Sequence, residues 1–428
     1  KNIFMKKIGI VILLFFASLC SAQFVVQNTP STEVFESISV PSNSVAWACG
    51  YRGALIRTTN GGMNWAMASG NIPAARYMFD IWAIDSLIAV VVASNASPDN
   101  AYIYKTTNGG VNWTQTFFQT GGFINAVSFI NSTTGFAMGD PVGGRWSLFR
   151  TTDAGSTWDS TGLRLIAVGA ETGFDNSLFY EGTNIWFGTH SGKIYRSTNA
   201  GSNWTSSQTT IAGVSQIYFN DVLGTGFAGG EYIFGSKLSK TNDGTVWVDG
   251  EDIEETNIRG FCGIKNTSTF WMGHEKNIYA STNNGNKWNL VFTLPTGFNT
   301  NLRSSRSGSY PRTIYGCTSN GKIVVGNTNT VGIKILSSKI PDNFELSQNY
   351  PNPFNPTTKI NFKVQEKSFV SLKVFDVNGK EISKLVNEII NAGSYSVEFN
   401  SFSLSSGTYY YRMVSDRFVE TKKMILIK

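Results

Sequence analysis

Histidine and cysteine are nearly missing from this chain: two of the first and four of the second in 428 residues. Charge is thin as well, at 15% of the composition, and no long amphipathic helical pattern can be traced. Each shortage excludes something. His190 and His274 both fall just past a glycine in what reads as one repeated hairpin, so both read as surface turn residues and leave little material for a metal site or general base. Cys20 lies in an apolar leader. The remaining Cys49, Cys262 and Cys317 are odd in number and far apart, which argues against a disulfide framework and for three buried free thiols. A Cys49–Cys317 bridge is the alternative, because the two fall in comparable strands of the first and last repeats. No Gly-x-Ser-x-Gly, paired Cys-x-x-Cys or His-Glu-x-x-His occurs, so the signatures of serine hydrolases, zinc ribbons and zincins are absent. Gly316 to Lys322 mimics a phosphate loop, but Ile323 stands where magnesium needs Ser or Thr and no helix follows. No cofactor and no metal are expected.

The one long apolar run, Ile8 to Leu19, follows Lys6 and Lys7 and ends at Cys20-Ser21-Ala22 before Gln23. It is short for a membrane span. It reads as a secretory leader over residues 1–22, cleaved between Ala22 and Gln23. Its removal takes away Lys1, Lys6 and Lys7 and lowers the formal charge from +6 to +3. With so little net charge and no basic block among aromatics, nucleic acid is not an expected partner. The mature chain is expected outside the cytoplasm, with no transmembrane segment.

What the chain does have is glycine, 43 residues of it, and a motif written over and over. Arg57-Thr58-Thr59-Asn60-Gly61-Gly62-Met63-Asn64-Trp65 returns at Lys105 to Trp113, Arg150 to Trp158, Arg196 to Trp204 and Ala280 to Trp288, with a copy one residue shorter from Lys240 to Trp247. The tryptophans Trp65, Trp113, Trp158, Trp204, Trp247 and Trp288 are 48, 45, 46, 43 and 41 residues apart. A period in this range fits four-stranded propeller blades. Ser/Thr and Asn/Asp start a turn by bonding nearby backbone, Gly supplies positive φ, and the indole opens the next strand against a neighbouring unit. Arg57, Lys105, Arg150, Arg196 and Lys240 share one register before the box and read as structural. Short alternating strands precede each box, as in Ala126 to Phe129 with Gly135 to Gly139. A worn seventh unit spans Ile314 to Ile323, where Asn327 to Thr330 replaces the box. Its outer strand comes either from Val331 to Leu336 or from Phe24-Val25-Val26.

These residues resemble the Asp-box (BNR) repeat, Ser/Thr-x-Asp/Asn-x-Gly-x-x-Trp, of sialidase-like and photosystem II assembly-factor-like propellers. The resemblance implies a fold-stabilising hairpin without a catalytic role. The expected fold is all-β: a seven-bladed propeller over residues 23–336, six or eight blades being the margin, then a linker at 337–343.

Residues 344–428 change character. Tyr350-Pro351-Asn352-Pro353-Phe354-Asn355-Pro356 cannot be a central strand. Alternating strands follow at Lys359 to Val364, Val370 to Val377, Tyr395 to Phe399, Thr408 to Val414 and Lys423 to Ile427, as in a small antiparallel Ig-like sandwich. The proline motif, Val374 to Lys380, Leu404 to Arg412 and the basic-apolar end Lys422 to Lys428 resemble the type A C-terminal sorting domain of the Por, or type IX, secretion system. The resemblance implies that the type IX machinery is a partner and that the protein is secreted or held at the outer cell surface.

Chemistry is harder to find. Glycoside hydrolysis needs two carboxylates. Asp80 and Asp175, reading as the starts of innermost strands in the second and fourth units, are the best pair for a polysaccharide-active glycosidase. A sialidase would need an arginine triad, and the arginines before the boxes do not make one. Asp249, Glu251, Asp252, Glu254 and Glu255 match no calcium loop and read as a solvated stretch. The favoured expectation is a non-enzymatic propeller that binds protein or glycan.

Overall fold

The computed structural model describes residues 24–427 apart from 96–99, 221–223, 232–237, 252, 254–256, 266–267, 282, 308–311, 329–333, 338 and 402–403. The leader with Ala22 and Gln23, and Asp252, Glu254 and Glu255 of the acidic stretch, lie outside the described residues.

Seven small antiparallel sheets follow one another along the chain and form a seven-bladed propeller. Six have four strands; blade 3 has three, with Asp159 bridging back to Arg150 where the fourth would run. In blades 1 to 6 the strands pair in sequence order. In blade 7 the outer strand is Val25–Gln27, antiparallel to Ile323–Asn327, so the N-terminal end of the described chain closes the ring. Lys334–Ser337 is not that strand. It pairs with Gly393–Asn400 in the second domain, so the boundary drawn at residue 336 cuts through a strand that sheet already owns. Ring closure is a hydrophobic seam: Phe35, Ile38 and Ile56 of blade 1 share a core with Tyr315, Cys317 and Ile323 of blade 7.

The boxes explain why the units stack. Thr58 Oγ1 donates to Asn60 Oδ1 (3.0 Å), Gly62 N donates back to Thr58 Oγ1 (3.0 Å), and Asn64 N donates to Asn60 Oδ1 (3.0 Å). The same bonds recur around Thr106, Thr151, Ser197, Thr241 and Ser281. The short side chain satisfies backbone donors that a tight turn would otherwise leave empty. Each turn then seats on the preceding blade. Trp65 meets Tyr315 edge-on at 6.0 Å, Trp113 meets Trp47 at 6.2 Å, and Trp288 meets Phe227 at 5.5 Å. The cations before the box are ties of the same kind: Lys105 Nζ donates to Asp153 O (3.1 Å) and Lys240 Nζ to Asn286 Oδ1 (2.7 Å), each in the following blade's turn.

Beneath the boxes lies one residue from the second strand of every blade: Trp47, Val90, Phe136, Trp186, Phe227, Trp271 and Tyr315, all fully buried. Trp271, which the missing seventh box would cover, shares its core with Phe24 beside the closing strand. Cys49, Cys262 and Cys317 are free and buried, so no bridge joins the first repeat to the last. His190 is an exposed turn residue stacked on Phe174, but His274 is buried at a strand end against Tyr279. The shared glycine spacing hid that difference.

The second domain is a sandwich of two four-stranded sheets around Phe362, Leu372, Val397, Tyr411 and Met424. Its longest strand, Glu381–Ile390, pairs with Ser368–Phe375 and was not legible in the sequence, where polar and apolar residues do not alternate cleanly. Asn378-Gly379 makes a turn, with Gly379 at φ +78°. No helix among the described residues is long and apolar enough to cross a membrane.

Candidate functional site

The innermost strand of each blade lines a central channel, and all seven strands carry a bulge near their start. Six of these bulges are single residues: Glu36, Phe79, Asn125, Ser215, Arg259 and Thr300. In blade 4 the shift runs from Gly173 to Leu178 and takes four residues out of register. Asn176 sits in that wide bulge at φ +62° and donates from Nδ2 to Phe79 O (3.0 Å) and Glu36 O (3.3 Å) on blades 2 and 1. A side chain from blade 4 therefore crosses the channel and closes it at this level. Asn tolerates left-handed backbone better than most residues, which suits it to this position, though its Oδ1 is buried with no donor among the described residues.

The bulge also separates the two carboxylates singled out above. Counting in register from the buried second-strand residue, Trp82 pairs with Val90 and Phe179 with Trp186, so Asp80 corresponds to Ser177 and not to Asp175. Asp80 is buried and bonded on both oxygens: it accepts from Ser37 Oγ (2.6 Å), Ile81 N (2.9 Å) and Val127 N (2.9 Å), tying blades 1, 2 and 3 together. Burial pushes its pKa up to about 6, against the pull of those donors and of Arg303. Asp175 accepts from Asn125 Nδ2 (3.2 Å), and burial, then the nearby Glu36, Asp140 and Asp80, push it up to about 8. Asp80 reaches the wall of the large cavity; Asp175 does not.

That cavity, of about 700 Å³, opens on the far side of the Asn176 plug. Its wall includes one layer taken from the same register position of every blade: Ser39, Trp82, Ser128, Phe179, Tyr218, Cys262 and Arg303. Arg303 is the only charged member. Around the layer stand apolar residues such as Ile38, Val40, Phe129 and Phe219, and at the rim Glu181, Lys265, Arg306 and Arg312. Arg306 lies over the Trp82 ring at 4.0 Å and donates to Ser39 Oγ (3.1 Å) and Ala83 O. None of these arginines stood out in the sequence. Blade 7 has no box to count back from, so no repeat register in the sequence pointed to Arg303.

No group of three or more His, Cys, Asp or Glu suited to a metal is present among the described residues. Burial pushes the Cys262 thiol up, away from a nucleophile's range. In the acidic stretch, Glu251 accepts from Trp288 N (2.6 Å) and pairs with Lys287 (2.7 Å), so it braces a box instead of standing free. Gly316 to Lys322 is an ordinary hairpin, with Lys322 N on Thr318 Oγ1 at 3.0 Å.

In class, then, the chain is a β-propeller joined to an export domain. Residues 348–428 match the secretion system C-terminal sorting domain family, the Por secretion tail. The chain is accordingly exported by the type IX route and is secreted or displayed at the cell surface. No curated protein is significantly similar to it. Among solved structures, YCF48 from Cyanidioschyzon merolae is 16% identical, with a TM-score of 0.53 over 71% of this chain and 98% of that one. A structure described as YCF48 bound to D1 peptide is 13% identical, with a TM-score of 0.54 over 71% of this chain and 97% of that one. At such identities the likeness is one of fold.

Proposed function

We propose that this is an exported binding protein whose propeller takes up part of a protein or glycan in the central cavity. The observation that carries the reading is the cavity itself: about 700 Å³, built from one strand of every blade and closed at the other end by Asn176. Such a concave cavity, with apolar and aromatic side chains set among polar and charged ones, can bind a ligand and fix its orientation. That a YCF48 structure is described with a peptide lends weight to a polypeptide ligand. The glycosidase alternative through Asp80 and Asp175 draws less support, since Asp80 has both oxygens occupied by Ser37, Ile81 and Val127 and only Asp80 reaches the cavity.

Arrays of glycans and of peptides, probed with the exported chain and with Ser128→Trp, test the reading. Binding that the cavity-filling variant abolishes supports it. Binding that Ser128→Trp leaves intact, or no binding on either array, overturns it.

A further inference from the structure

The charges on the cavity wall do not balance. Six charged side chains line it: Asp80, Glu181, Lys265, Arg303, Arg306 and Arg312. Glu181 and Lys265 pair with each other. Asp80 is turned into the wall, held by one hydroxyl and two backbone N–H groups. Three guanidiniums remain, and among the described residues none forms an ion pair with a carboxylate. Arg303 donates from Nη1 to the carbonyl of Leu302 (3.1 Å) and is attracted by the Asp80 carboxylate without a hydrogen bond to it among the described residues. Arg306 is fixed over Trp82 by neutral acceptors. Arg312 has a buried Nη1 with no acceptor among the described residues.

Arg303 and Arg312 are half-buried, and a partly desolvated guanidinium without an ion-pair partner is stabilised when an anion enters. Arginine stays protonated at such depth, and its planar fork matches the two oxygens of a carboxylate. The rest of the wall mixes apolar and aromatic side chains such as Trp82 and Phe179 with the polar Ser39, Ser128, Asn220 and Ser304, and the apolar part favours an acid on an apolar stem over a heavily hydrated phosphate. Because Asn176 blocks the other end, the acid must enter head first and finish near Arg303.

We propose that the cavity is a carboxylate-binding site, with Arg303 as the group that holds the anion, Arg312 at the rim drawing it in, and the aromatic members of the wall receiving the stem. This rests on the cavity being the binding site, as argued above. The carboxylate comes from a small free acid, from the end of a polypeptide or from an acidic sugar, and the probes distinguish these sources.

The test is calorimetric titration of the exported full chain at pH 7 and low salt with 3-phenylpropionate, its neutral amide, glucuronate, and one short peptide with a free or an amidated C-terminus. At least one acid is expected to bind ten times or more tightly than its neutral counterpart, and the tightest acid names the source. Arg303→Met is expected to weaken that acid at least tenfold while leaving the amide unchanged. Arg312→Gln provides the same comparison if Arg303→Met fails to fold by circular dichroism. Equal binding of acid and amide overturns the carboxylate inference and leaves the cavity reading standing. Undiminished acid binding in both folded variants overturns it as well. If no probe, charged or neutral, perturbs the fluorescence of Trp82, under Arg306 in the wall, both readings fall.

Discussion

Two box tryptophans allow an internally controlled test of how the wheel is held. Trp113 and Trp288 occupy the same motif position and are equally buried, each 4% exposed. Both meet the buried aromatic of the preceding blade edge-on. They differ in one bond. Trp113 Nε1 donates to Ala68 O at 2.9 Å, whereas Trp288 Nε1 is buried with no acceptor among the described residues. Replacing either by Phe removes a similar apolar area, about 1–2 kcal/mol at the usual transfer coefficient. At Trp113 the carbonyl of Ala68 also loses its donor, which adds about 1–3 kcal/mol. At Trp288 the change removes an unpaired N–H and adds nothing. Trp113→Phe should therefore destabilise the chain by about 2 kcal/mol more than Trp288→Phe, the midpoint of that range. Urea unfolding followed by both circular dichroism and fluorescence measures the difference, coincident transitions being required. A gap below about 0.5 kcal/mol, within the scatter of a single neutral hydrogen bond, or one of opposite sign, would refute the reasoning.

Further outcomes follow from the same geometry. Gly155 is at φ +80° with Val90 Cγ2 2.8 Å from where a Cβ would sit, while Gly143, at φ +61°, faces open space. Gly155→Ala should therefore lower the melting temperature clearly more than Gly143→Ala, which carries only the left-handed cost of about 1–2 kcal/mol. Asp80 and Asp175 have folded pKa values of about 6 and about 8, both above the ordinary 3.8. Their contribution to stability is complete below pH about 4 and is lost as pH rises through 6 and then 8. Asp175→Asn should flatten the fall in unfolding free energy, read from urea titrations, between pH 6 and 8 by at least about 1.4 kcal/mol, the value of one pKa unit; an unchanged slope contradicts the burial. Deleting Phe24 to Gln27 removes the outer strand of blade 7 and the Gln27 Oε1 that accepts from Trp65 Nε1 at 2.8 Å. Limited proteolysis should then cut blade 7 first, and a pattern identical to that of the intact chain would count against closure by this strand.

Repetition made the wheel readable. The box is a local device: Thr58, Asn60 and Gly62 satisfy one another within five residues, so their spacing alone announces the turn, and the period announces the blade. The structural role of Lys105 and Lys240 and the sorting domain with its proline motif were legible for the same reason, as short patterns with short-range causes, and the free thiols followed from the odd number and wide spacing of the cysteines. Other features depend on residues far apart in sequence. Whether Val25–Gln27 or Lys334–Ser337 completes blade 7 is a competition between two edges, decided by which edge each strand meets in space. The register slip at Gly173–Leu178 moves Asp175 away from the position of Asp80 and sends Asn176 across the channel, and a bulge of that width leaves no mark in composition. Arg303 is one arginine among many until seven strands converge. Only then does a single position per blade become a layer, and only the closed ring leaves that guanidinium facing a cavity with no ion-pair partner among the described residues. Local hydrogen bonding wrote the blades into the sequence, whereas the site is made by long-range convergence and is fixed in the tertiary structure alone.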